Sequence, residues 1–275
     1  MCGCHGRMEI NFCIRVENER AADVLDAVRA VEDEGFGGVS FSDELMDLSM
    51  GGGWSHDPWT LMAVAAAVTE QITIGSMVFN VANRDAGTTA VAAATLQEIA
   101  GGRLWMGLGA GTNDGEVYSR DQMAFGRRPA PPAERRASVR AYIAELHRIW
   151  AHDHFLQPEP VPPLFFGAFG PLAAKLAGRH ADGIAAAVDG YGDAAPGIEQ
   201  LVDIARGARA DAGRAGDVRI IAHTGPDDDA SDPEWRAGSA GYDRLEALGA
   251  ERLVLFIPPR VEAVRAAARY LPRTV

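Results

Sequence analysis

A (β/α)8 barrel, the TIM-barrel architecture, is the fold this sequence predicts, and three observations predict it. Eight short apolar runs of β type recur along the chain, each followed by a helical pattern. Eight such units in 275 residues suit a closed barrel better than an open doubly wound sheet, the structural rival. No Pro/Ser-rich linker or shift in composition divides the chain, so one domain over 1–275 is expected, with 1–7 a disordered leader.

The first strand is expected at 8–16 (MEINFCIRV). In the helix that follows, Ala21, Val24, Leu25, Val28 and Val31 recur at three- and four-residue steps as one apolar stripe, and Gly35 stops it. The second strand is GGVSFS (37–42) and the third ITIGSMVF (72–79). Between them lies the longest wholly apolar run near the middle of the chain, LMAVAAAV, far short of the roughly 20 residues that cross a bilayer. RLWMGLG (103–109) is the fourth strand; its helix starts only near Ala133 and runs to Trp150, with Val139, Ile143, Leu146, Ile149 and Trp150 inward. LFFGA (164–168), DGIAAAV (182–188), VRIIAHT (218–224) and RLVLFI (252–257) complete the set. The segments 112–132 and 151–163 read as long loops rich in proline and polar residues, and such loops are often functional.

A net charge of -12 argues against nucleic acid as a partner, because phosphates call for a basic face. Lys175 is the only lysine. The cysteines, Cys2, Cys4 and Cys13, crowd the N-terminus rather than spreading as a disulfide framework, which points to a reducing cytoplasm. Cys2, Cys4 and His5 lack a second Cys/His pair at a fitting spacing, so no metal is expected. The opening residues have no apolar core for a signal peptide, and Met8 reads as the natural start.

In barrels of this class chemistry gathers at the C-terminal strand ends. Those ends bring together Asp43-Glu44, Asn80, Gly109-Ala110-Gly111-Thr112-Asn113, Gly167-Ala168-Phe169-Gly170 and His223. Gly107, Gly109 and Gly111 alternate where backbone N–H groups would approach an anion closely. A dinucleotide fingerprint would need a helix to start at once, so that motif is rejected. An anion cradle and a plain flexible loop both remain open on spacing.

The segments GFGGVSFSDE (35–44), DPWTLMAVAAAVTEQITIGSMVFNVANR (57–84), AATLQEIAGGRLWMGLGAGTN (93–113), AFGRRPAPPAERRASVRAYIAELHRIW (124–150) and PPLFFGAFGPLAAKLAGRHADGI (162–184) resemble the luciferase-like flavin and deazaflavin oxidoreductases, particularly their coenzyme F420-dependent branch. The resemblance implies a luciferase-like barrel with a cofactor at its mouth. That cofactor is F420, with FMN as the alternative, and a small molecule is the substrate; relatives are often homodimers. It places Gly109, Ala110, Gly111, Thr112 and Asn113 at the tail-side phosphate region and Gly167, Ala168, Phe169 and Gly170 in a second cradle. A Met77–Val78 peptide, commonly cis in the family, would back the ring. Replacing Gly109 or Gly111 with valine is then expected to weaken cofactor binding and leave the fold mostly intact.

Relatives often carry Asp-His where this chain has Asp43-Glu44. Glu44 either takes over proton transfer, its pKa raised by desolvation, or only caps a segment or pairs with an arginine. Asp43 is expected to hold loops by hydrogen bonds. Thr112 stands where some sugar-phosphate-oxidising relatives have a carboxylate, which argues against that substrate. His223 and Asn80 are the other candidates for the polar group beside the reacting atom. His56 precedes the second helix within reach of the mouth, and His180 is expected to pack at a helix end. His152 and His154 read as a solvated loop and Asp227-Asp228-Asp229 as a solvated turn.

The rival readings are an FMN-dependent monooxygenase and a non-catalytic flavin-binding barrel.

Overall fold

The computed structural model describes residues 7–46, 53–190, 195–225 and 233–271. Eight strands run in chain order: β1 Glu9–Ile14, β2 Gly38–Phe41, β3 Thr73–Asn80, β4 Leu104–Gly109, β5 Leu164–Gly167, β6 Gly183–Ala187, β7 Arg219–His223 and β8 Arg252–Ile257. Each pairs in parallel with the next, and β8 returns to β1 with Ile10 opposite Leu253, so the sheet closes. Helices α1 Ala21–Asp33, α2 Pro58–Val68, α3 Ala86–Ile99, α4 Arg120–Ala124, α5 Pro132–Trp150, α6 Pro171–His180, α7 Ile198–Asp211, α8 Ala240–Leu248 and α9 Val261–Ala267 fill the connections. The barrel expected from the eight units is the observed fold.

The strands are buried on both faces, and their period-two alternation sorts residues between two cores. In β4, Leu104, Met106 and Leu108 join the large core between sheet and helices, while Trp105 points into the barrel. Phe165, Ile221 and Val254 join Trp105 there. Charge closes the N-terminal end. Arg252 lies over the Trp105 ring, its guanidinium carbon 5.9 Å from the centroid, and bonds Glu251; Arg219 lies over Phe165 and donates to Glu251 at 2.8 Å.

Three sequence expectations are adjusted. Most strands are shorter than their apolar runs by one to three residues, lost at either end, because run ends stay apolar where the ladder hydrogen bonds stop. The helix after β4 begins at Pro132, one residue early. The segment 112–132 is not only loop: a 3₁₀ turn, Val117–Ser119, runs directly into α4. Asp121 of α4 accepts from the Leu45 N–H at 2.6 Å, and Arg127 donates to the carbonyls of Ala82 and Asn83 at 2.8 and 2.9 Å. The excursion is thus pinned across the exits of β2 and β3.

Candidate active site

The C-terminal strand ends surround a cavity of about 720 Å3, a size ordinary for cofactor and ligand sites. Its rear wall comes from β3. Pairing between β3 and β4 slips between Ser76 and Phe79, and the Met77–Val78 peptide in that bulge is cis, as the resemblance implies. The extra residue turns Val78 into the mouth.

Three glycines receive it. A Cβ built on Gly109 would stand 2.7 Å from Val78 Cγ2, one on Gly107 would lie 2.8 Å from Val78 Cγ1 and overlap the Ser76 carbonyl, and one on Gly167 would lie 3.4 Å from Val78 Cγ2. The alternation in WMGLG is thereby explained: Trp105, Gly107 and Gly109 occupy successive inward positions, one filling the floor and two making the socket. Gly111 differs. Its φ of +67° lies in the left-handed region, where glycine is favoured.

The expectation that valine at Gly109 would spare the fold is corrected here, because any side chain there displaces the bulge. Gly109→Ala is expected to cost about 1–3 kcal/mol, the usual range for overpacking. Thermal unfolding of the variant against wild type measures it, and an unchanged midpoint would mean that Val78 moves freely.

Asp43 follows β2 and is 4% exposed. Its carboxylate accepts from Arg84 Nη1 at 2.7 Å, from the Asn80 N–H at 3.0 Å and from Asn83 Nδ2 at 3.2 Å. Arg84 Nη2 continues to Asp57 at 2.7 Å, and Asp57 caps α2 by accepting from the Thr60 N–H. Burial raises the Asp43 pKa, and Arg84 and the N–H donors oppose the rise. With every strong donor aimed at it, Asp43 ties the exits of β2 and β3 together.

The next residue behaves differently. Glu44 lines the cavity with its side chain partly exposed to it. Burial of its carboxyl pushes the pKa up to about 7; the negative charges of Asp43 and Glu17 add to the rise, and hydrogen bonds from Ser42 and its own N–H oppose it. A carboxyl that titrates near neutrality is suited to give and take a proton. Cys13, on the cavity floor, is held as a neutral thiol, since burial pushes its pKa up.

His223 ends β7 and also lines the cavity, 3% exposed. Its Nδ1 lies 2.8 Å from the Thr224 carbonyl, which can only accept, so Nδ1 carries a proton. Asn80 lines the cavity while its Oδ1 accepts from the Ala82 N–H at 3.0 Å. Across the mouth stand Gly109, Ala110, Gly111, Thr112 and Asn113, with Gly167, Phe169 and Gly170 beside them. Ala168 turns away, its side chain in the core between sheet and helices.

Several lining residues are not singled out by the sequence, among them Arg135, Arg136, Glu116 and Asp121. Arg135 and Arg136, in the first turn of α5, reach the β4 side of the cavity. Arg135 Nη2 donates to Asn113 Oδ1 at 2.6 Å, whereas its buried Nε and Nη1 meet no acceptor. A half-buried guanidinium with two N–H groups to spare fits an anion such as a cofactor phosphate. Glu116 accepts from Thr112 and, at 2.5 Å, from Asn113, fixing this loop. Asp121 lines the cavity from α4.

His56 is not a lining residue; its Nε2 bonds the Glu19 carbonyl at 2.8 Å. His180 closes α6 as expected. His152 and His154 lie in an exposed loop, and no group of three metal-ligating side chains occurs among the described residues. The Asp227–Asp229 turn and the Cys2–Cys4 segment lie outside the described residues. Among those described, no helix is long and apolar enough to cross a membrane.

A closed barrel with a cavity at its C-terminal rim and a bulged third strand behind it defines the class. Residues 8–247 match the luciferase-like monooxygenase family, and the chain belongs to it. Among curated relatives, it is 29% identical over 186 residues to the F420-dependent glucose-6-phosphate dehydrogenase of Nakamurella multipartita, covering 59% of this chain and 51% of that protein. It is 30% identical over 214 residues to the F420-dependent hydroxymycolic acid dehydrogenase of Mycobacterium tuberculosis, covering 72% of this chain and 56% of that protein. The chain thus spans about half the length of the curated relatives it matches. A solved F420-dependent secondary alcohol dehydrogenase, in complex with an F420-acetone adduct, shares the fold with a TM-score of 0.75 at 16% identity, covering 96% of this chain and 97% of that one.

Proposed function

We propose that the protein is an oxidoreductase that moves a hydride between the deazaflavin F420 and a small organic substrate. The observation that carries this reading is one cavity lined by Glu44, a carboxyl that burial pushes up towards neutrality, and by Arg135, a guanidinium with unused N–H groups. The names of the F420-dependent relatives agree with it.

When bound, the deazaflavin supplies the two-electron hydride chemistry at its C5. Arg135, Arg136 and the Gly111–Asn113 backbone would hold its phosphate. The Met77–Val78 bulge, seated in its glycine socket, would back the ring. A carboxyl oxygen of Glu44 moves the proton that accompanies the hydride at the substrate oxygen. Met46, Met77 and Phe256 give that end an apolar lining that limits water. His223 and Asn80 complete the polar rim beside Glu44. The reading carries with it a homodimer in the cytoplasm, which light scattering and fractionation check.

Fluorescence titration with F420 and with FMN tests the cofactor assignment. F420 is expected to bind, and Arg135→Met is expected to weaken it by roughly 10–100-fold, the loss of one to two charge-assisted hydrogen bonds. Binding of FMN alone would favour the monooxygenase chemistry that the family name describes. Binding of either without turnover would make the barrel a carrier.

A further inference from the structure

Charge is divided across the mouth. In a closed barrel of eight strands, β4 and β5 stand across from β8 and β1. Of the arginines that line the cavity, Arg135 and Arg136 belong to the β4 side, where Arg135 bonds Asn113. The third, Arg15, follows β1, and its Nε lies 3.9 Å from Glu17. On the β4 side the one carboxylate among the described lining residues, Glu116, is taken up by Thr112 and Asn113, whereas the β1–β2 side offers several carboxylates. Glu17 and Glu44 line it, and Asp121, 4% exposed, is drawn to it through the Leu45 N–H. The Leu45 N–H bonds one oxygen of Asp121, the Met46 N–H also faces the carboxylate, and Oδ1 is buried at the cavity side of that pair.

We infer that the substrate is a small, mainly apolar alcohol or amine that carries no phosphate or carboxylate, selected by the carboxylates of Glu17 and Asp121 at the β1–β2 side of the cavity. The inference rests on the hydride-transfer reading above for the chemistry, but the charge selection stands on geometry alone. An anionic group there would meet two carboxylates in a partly desolvated pocket, with the nearby Arg15 facing Glu17 at 3.9 Å. A hydroxyl or ammonium would instead donate to these carboxylates. In the oxidation direction the hydride leaves the substrate carbon for the deazaflavin, and the O–H or N–H proton passes to the Glu44 carboxylate. The substrate C–O or C–N bond becomes C=O or C=N, and charge and electrons balance.

The test uses three ring-matched probes: cyclohexanol, trans-4-aminocyclohexanol and 4-hydroxycyclohexanecarboxylate. Calorimetric titration at about pH 8, where Glu44 is ionised, is run on the protein with and without F420. The neutral and amino probes are expected to bind at least about tenfold more tightly than the carboxylate. Glu17→Gln, which frees Arg15, is expected to shrink that ratio by about threefold or more. Equal or tighter binding of the carboxylate, no binding of any probe, or a ratio unmoved in Glu17→Gln overturns the inference. The expected order without reduction of F420 by any probe supports the charge selection and sinks the hydride-transfer reading.

Discussion

Glu44→Gln is expected to lower turnover by about 10²–10⁴-fold while leaving F420 affinity within a few-fold, because general acid–base assistance is lost and the cradle is untouched. The pH profile carries the sharper signature. With its carboxyl pushed up to about 7, Glu44 is a proton donor below that pH and a proton acceptor above it. Substrate reduction should therefore fall as pH rises through about 7, and substrate oxidation should rise over the same interval. Glutamine cannot titrate, so both limbs should vanish in the variant. His223→Gln is the matched control: if it alone removes the limb, the proton belongs to the β7 end.

The same substitution has a consequence for stability, of opposite sign. A carboxyl whose folded pKa lies above its unfolded value contributes most at low pH, and that contribution is lost as pH rises through the folded pKa. Wild type should lose stability between about pH 4.5 and 7 as Glu44 is forced to ionise. Above pH 7, Glu44→Gln should be the more stable protein by on the order of 2 kcal/mol, less than a fully enclosed carboxyl would show because Glu44 is only half-buried. Thermal unfolding at pH 5 and pH 8 compares the two, and a variant less stable at pH 8 would place Glu44 in a structural role.

Arg84→Met is expected to destabilise the barrel by about 3–5 kcal/mol, since it strands the buried Asp43 carboxylate without its cation. Arg84 contacts Asp43 at 2.7 Å and Asp57 at 2.7 Å, so one guanidinium joins the exits of β2 and β3 to the cap of α2. For a chain of this size that loss lowers the unfolding midpoint by roughly 10 °C. Adding Asp43→Asn to Arg84→Met should recover part of it, because the buried charge goes with its partner. A double variant as unstable as the sum of both single changes would show that the pair does not act as a unit.

The sequence by itself determined the barrel. Each strand is buried on both sides, so it reads as an apolar run, and helices such as α1, α6 and α7 keep a stripe; both patterns are local and survive in one dimension. It also brought most of the mouth together, because in this fold a strand end is a site position whatever the residue. Asp43, Glu44, Asn80, His223 and the 109–113 segment all line one cavity for that reason. Three things were decided only in the tertiary structure. The purpose of Gly107, Gly109 and Gly167 lies in another strand: they make room for Val78, and no spacing within WMGLG or LFFG reveals a neighbour's bulge. Asp43 and Glu44 are adjacent acids in different surroundings, because Arg84 comes back from forty-one residues downstream to meet the first, whereas burial dominates at the second. Arg135 and Asp121 reached the site from segments away from any strand end, α5 and a short helix hidden in an apparent loop, so their position depends on how the 112–132 excursion folds back over the mouth. Periodicity records burial against a local face, whereas the fit of one residue into the space left by another depends on distances that the chain closes only when the barrel does.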